Sequence, residues 1–160
     1  MAASRSTVME SHPDDAASTM TGPLACADAL GRTAAETCRQ HERLSKLTEL
    51  GVAAAELAAA VAMVDTIDLA LAEAVQEFER VCDTVPVSDQ VETRQKANAL
   101  WLAAREYLRR HSIAERAAEQ LSQHDAEELG VLKFEYELEA SALLALRQAT
   151  TAFMKQREQR

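Results

Sequence analysis

The residues with the means to do chemistry are few: four histidines, three cysteines and one aspartate at an apolar position, Asp68, in a chain of 160 residues. Cys38 and His41 stand three apart in Cys38-Arg39-Gln40-His41, so a helix places thiol and imidazole on one face. Two such groups hold part of a zinc site, which ordinarily takes four ligands, and no complementary pair occurs elsewhere in the chain. His111 with Glu115, and His124 with Glu128, are four apart with the histidine leading, the spacing of ordinary helix-surface pairs. A di-iron carboxylate bundle needs Glu-x-x-His on two helices, and the sequence contains none. Nucleophilic catalysis finds no support, because there is neither a Gly-x-Ser-x-Gly turn nor a glycine loop to cradle phosphate. The sequence therefore reads as non-enzymatic, with no metal, no cofactor and no small-molecule substrate expected.

Asp68 matters because a buried carboxylate costs several kcal/mol unless it is paired. It is expected to meet an arginine of the following helix or to sit at a wet edge; the functional reading is a ligand or a register-setting residue. Cys26, Cys38 and Cys82 are an odd, scattered set that fits neither a disulfide framework nor a zinc pattern. Reduced thiols are the simplest expectation, and they fit a cytoplasmic protein.

These residues must be positioned by helices. Hydrophobic residues make up 48% of the chain and aromatics only 4%, so most of the apolar content is Ala and Leu. Four glycines and three prolines permit few turns. Strong helix formers dominate from Leu24 onward and no stretch alternates with period two, so an all-α fold is expected. Residues 1–22 are Ser/Thr/Asp-rich and read as a disordered tail, with the helical bundle domain spanning 23–160. Pro23 suits a first helical turn, and Gly51 ends or kinks the helix it opens.

The next helix, Val52 to Cys82, has the clearest pattern. Leu50, Ala54, Leu57, Val61, Val64, Asp68, Leu71, Val75, Phe78 and Cys82 follow spacings of four and three. Ala60, Ile67 and Ala74 widen the stripe as a bundle helix needs. Pro86 marks a loop and Ser88 is the expected N-cap of a third helix. That helix carries Leu100, Trp101, Ala104, Leu108 and His111 on one face, and Ser112-Ile113-Ala114-Glu115 matches a capping box that would break it. Gly130 is the expected stop before a last helix, Val131 to Lys155, with Leu132, Tyr136, Leu143, Leu146 and Phe153 inward. The expected architecture is an elongated antiparallel bundle or coiled-coil hairpin of three or four long helices.

Charge is segregated. Arg94, Lys96, Arg105, Arg109, Arg110 and Arg116 make the third helix basic, and an acidic block from Glu119 to Glu139 follows. The net charge of −9 argues against nucleic acid as a partner. Arg105, Arg109, Arg110 and Arg116 are the candidate contacts for a partner or for an anionic membrane surface.

The stretches Leu50-Gly51-Val52-Ala53-Ala54-Ala55-Glu56-Leu57 and Ala103-Ala104-Arg105-Glu106-Tyr107-Leu108-Arg109-Arg110, with Phe134 through Phe153, resemble in residue texture the long helices of sorting-nexin-type BAR domains. That resemblance implies a dimeric bundle seated peripherally on curved membranes. This chain is shorter than a full BAR domain and acidic, so the basic residues of the third helix would be the candidates for a membrane-binding face. The reading preferred on the residues alone is an assembly or adaptor protein that binds a protein partner or itself as a homodimer. Its packing and interface residues would be Leu57, Val64, Asp68, Leu71, Phe78, Trp101 and Leu108.

Overall fold

The computed structural model describes residues 22–121 and 126–159. Four helices follow in order: α1 (Pro23–Leu50), α2 (Ala54–Cys82), α3 (Val91–Gln120) and α4 (Ala126–Glu158). At ~1.5 Å per residue they are rods of roughly 40 to 50 Å. The architecture is an all-α helical bundle. The expectation for the tail before Gly22, and the His124–Glu128 pair, lie outside the described residues.

Local chemistry sets the ends. Pro23 opens α1, and the Gly22 carbonyl accepts the Cys26 amide at 3.0 Å. Gly51 closes α1 in the left-handed region at φ 63°, with its amide on the Thr48 carbonyl and the Val52 amide on that of Leu47. Gly51 thus terminates the helix rather than kinking it. Ser88 does not cap α3: its hydroxyl accepts the Gln90 amide at 3.2 Å in the preceding turn, and Gln90 is the capping residue. Of the remaining punctuation, the expected stop at Gly130 fails, and the break left open at Ser112 does not occur. α3 runs unbroken through Ser112, and α4 begins at Ala126 and runs through Gly130. Neither signal outweighs the surrounding helix formers.

α1 pairs with α2 and α3 with α4 along their lengths, and the two hairpins meet through α1–α4, α2–α3 and a diagonal α1–α3 contact. Each core seam has heptad spacing. On α3 it runs Thr93, Ala97, Leu100, Ala104, Tyr107, His111, Ala114, of which all but His111 are buried. Leu100, Ala104 and His111 lie on the seam as expected, while Trp101 and Leu108 flank it half-buried. On α2, Val64, Asp68, Leu71, Val75 and Phe78 are buried as expected. Leu57 is half-buried, while Leu50, Ala54 and Val61 face solvent. On α4, Leu146 and Phe153 are buried, Leu132 and Leu143 half-buried, and Tyr136 points outward against expectation.

Small residues let the helices approach. Gly31 has no side chain because the Phe153 ring of α4 packs 3.0 Å from where its Cβ would be. Arg157 donates to both carboxylate oxygens of Asp28 at 2.7 and 2.9 Å, and Lys96 donates to Gln156 at 3.1 Å. Val87, from the α2–α3 connection, is buried against the same end. The dense end therefore comprises the start of α1, the end of α2, the start of α3 and the end of α4. Burial thins toward the other end. Beyond His41 no residue of α1 is buried, nor is any described α4 residue before Ala142.

Candidate functional site

Where the dense core gives way, each of the four helices contributes polar side chains to one layer. His41 comes from α1, Asp68 from α2, Tyr107 and His111 from α3, and Glu139 from α4. The placement follows from the heptads, since Asp68, Tyr107 and His111 occupy seam positions that elsewhere hold Leu or Ala.

Asp68 is the hub. Its Oδ2 accepts the Tyr107 hydroxyl at 2.7 Å and lies 3.1 Å from His41 Nε2. The Tyr107 oxygen is itself 2.6 Å from His41 Nε2. One hydrogen on Nε2 shared between the phenol and the carboxylate satisfies this triangle. His111 sits on the other side of the phenol ring, stacked at 5.9 Å. Its Nδ1 is 2.7 Å from Glu139 Oε1, and its Nε2 is 3.4 Å from Glu115 Oε1 and 3.8 Å from Asp68 Oδ2. Two buried carboxylate oxygens of this region, Asp68 Oδ1 and Glu135 Oε2, have no hydrogen-bond partner.

The expected arginine partner for Asp68 is thus replaced by two histidines and a phenol. His111 keeps its expected partner Glu115 and its place on the inner face of α3, and it also bridges, half-buried, to Glu139 of α4. Sequence reasoning missed Tyr107 altogether. The signal was its spacing, three after Ala104 and four before His111, which puts it on the seam in place of Leu108.

The electrostatics follow from the packing. Burial, and then the neighbouring Asp68 charge, hold the Tyr107 phenol far above its ordinary range, so it stays protonated. The hydrogen bond to Glu139, aided by the charges of Glu139, Asp68 and Glu115 and opposed by burial, raises His111 above the usual histidine value. Burial raises the Cys38 thiol, with Arg147 opposing.

Tyr107 is wholly buried and its hydroxyl is already committed, which leaves it no route to a substrate. Among the described residues no group of three or more His, Cys, Asp or Glu is placed to hold a metal ion. An open groove of ≈330 Å³ between α2 and α3, lined by Leu69, Leu108 and Glu115 among others, reaches the edge of the layer at Asp68 and His111.

The candidate arginines are mostly engaged locally. Arg109 and Arg110 both hold Glu106, at 2.7 and 2.8 Å, and keep its carboxyl down to about 2. Arg105 lies over the Trp101 ring at 5.1 Å and 3.4 Å from Glu79, which also accepts the indole N–H. Arg116 donates to the Ser112 carbonyl. No described helix is long and apolar enough to cross a membrane.

Compared with known proteins, the chain matches no family model, no curated protein and no solved structure.

Proposed function

We propose that the chain is a non-enzymatic helical assembly protein that pairs with a second copy of itself through its loosely packed end. The observation that carries this reading is the distribution of exposed apolar side chains. Val131 (55% exposed) and Phe134 (56% exposed) line one face of α4, with half-buried Leu138 one turn further on. Leu50 (76% exposed), Val61 and Met63 add apolar surface on the α1–α2 hairpin at the same end. On the inner side of α4 the same stretch presents the carboxylates Glu135 and Glu139. Its amphipathicity is thus turned partly outward, which is the mark of a helix with something to cover it.

The occupant is a second copy for two reasons. The chain's own N-terminal segment is Ser/Thr/Asp-rich and carries few large apolar side chains with which to cover Val131 and Phe134. A two-fold pairing, by contrast, sets Val131 and Phe134 against the same residues of the other copy and needs no further partner. An adaptor role follows if the shafts of such a dimer carry other proteins. Reduced thiols at Cys38 and Cys82 fit a cytoplasmic setting.

The alternative, a BAR-like dimer on anionic membranes, draws less support, because Arg105, Arg109 and Arg110 already face Glu79 and Glu106. Light scattering across protein concentrations tests the proposal. The wild-type chain is expected to have twice the monomer mass, and a Val131→Glu, Phe134→Glu variant to be a monomer of unchanged helicity. A wild-type monomer at every concentration overturns it.

A further inference from the structure

We propose that His111 is a proton-operated clasp that holds the loosely packed end in register and thereby regulates the association face. The regulatory half rests on the self-association reading above; the clasp itself does not.

Both ring nitrogens of His111 face carboxylate oxygens: Glu139 of α4 at 2.7 Å from Nδ1, and Glu115 of α3 with Asp68 of α2 at 3.4 and 3.8 Å from Nε2. Only an imidazolium donates at both positions; a neutral ring turns a lone pair on a carboxylate at one of them. The other groups packed around it come from all four helices, and His41 Nε2 lies 3.1 Å from the same Asp68 oxygen. α1 presents His41 and the Cys38 thiol, and α3 adds the protonated Tyr107. α4 adds Glu135, while Arg147 faces Cys38 and Glu42, and Arg109 is engaged with Glu106. Protonated His111 therefore donates to Glu139 and faces Asp68 and Glu115, so one charge ties three helices together.

His111 is raised in the folded chain, chiefly by Glu139. Its contribution is fully present below the unfolded value of about 6.5 and is lost as pH rises through the raised folded value. Loss of the proton leaves Asp68, Glu115 and Glu139 close together without it. The tie from Glu139 of α4 through His111 to Asp68 of α2 is then lost, one to two turns from Phe134 and Val131. The apolar face is preformed when the clasp is closed and loosened when it opens, so a proton and the second copy bind cooperatively.

The test is amide hydrogen exchange, corrected for intrinsic rate, in dilute wild-type protein from about pH 6 to about pH 9, a range that spans the ordinary histidine value. Protection over residues 126–141 is expected to fall with rising pH, by up to about tenfold per unit for one linked proton. His111→Gln is expected to show the low protection at every pH. Glu139→Gln, which keeps the hydrogen-bonding shape, is expected to move the wild-type fall to lower pH. Parallel profiles for wild type and His111→Gln overturn the clasp. Sedimentation at the two ends of the pH range tests the regulatory half. Tighter pairing at the lower pH supports it, and pH-independent pairing overturns it while leaving the clasp standing. A chain that never pairs but shows the exchange profile counts against the assembly reading alone.

Discussion

Asp68 and Tyr107 show how a polar residue survives on an apolar seam. A buried carboxylate is tolerated when donors meet it, and here the phenol and His41 both converge on one oxygen. Tyr107→Phe keeps the packing and removes one donor, leaving the Asp68 charge less satisfied. It is expected to lower stability by about 1–3 kcal/mol, read from chemical denaturation. A loss below the error of that measurement would mean that water replaces the hydroxyl. The layer as a whole need not be a source of net stability. Buried ionic groups are often matched by apolar residues of similar volume, and their attested use is to fix register. Register is a natural task here, since one polar level on all four seams permits a single longitudinal alignment of the helices.

At the scale of the helix, two glycines predict effects of opposite sign. Gly31→Ala places a Cβ 3.0 Å from the fully buried Phe153 ring, which cannot yield, so α1 and α4 must separate. The expected loss is about 1–3 kcal/mol despite the better helix propensity of alanine. Gly130→Ala meets open space within α4 and is expected to gain up to about 1 kcal/mol. Thermal melting of the two variants checks both signs at once. Leu71, wholly buried on α2, is the plain test of the seam: Leu71→Ala is expected to cost ~2–5 kcal/mol.

The helices were largely legible in the residues and their faces only partly so. α2 declares its stripe because its apolar residues are large and its neighbours small or charged. α3 and α4 are harder, since alanine is apolar on every face and gives no direction. On α3 the expected face caught Leu100, Ala104 and His111 but took the large flanking residues Trp101 and Leu108 in place of Ala97 and Tyr107. The stop at Gly51 held, while that at Gly130 failed because a lone glycine is a weak breaker when long helix-forming runs lie on both sides. The polar layer was half visible. Asp68 stood out as a carboxylate among apolar residues, but its partners come from three other helices, and contacts between distant segments leave no trace in spacing.

The whole molecule is asymmetric along its length. One end is closed by Phe153 on Gly31, by Val87 and by the Arg157–Asp28 pair. The other, beyond the polar layer, leaves Val131 and Phe134 in water. The dense half supplies stability and the layer aligns the helices; under the assembly proposal, the loose half is where a second copy pairs. The charge of −9 opposes close approach of two chains, so pairing is expected to strengthen as salt is added, by screening of like charges. An association driven by opposite charges would weaken instead, and sedimentation at low and high salt separates the two.

Amide hydrogen exchange of the wild-type chain at two protein concentrations tests the central claim most directly, because it locates the interface as well as detecting it. The account predicts that raising the concentration adds protection over residues 126–141 and 50–64, and leaves the start of α1 and the end of α4 unchanged. Protection that does not depend on concentration, or that rises at the dense end instead, would contradict it.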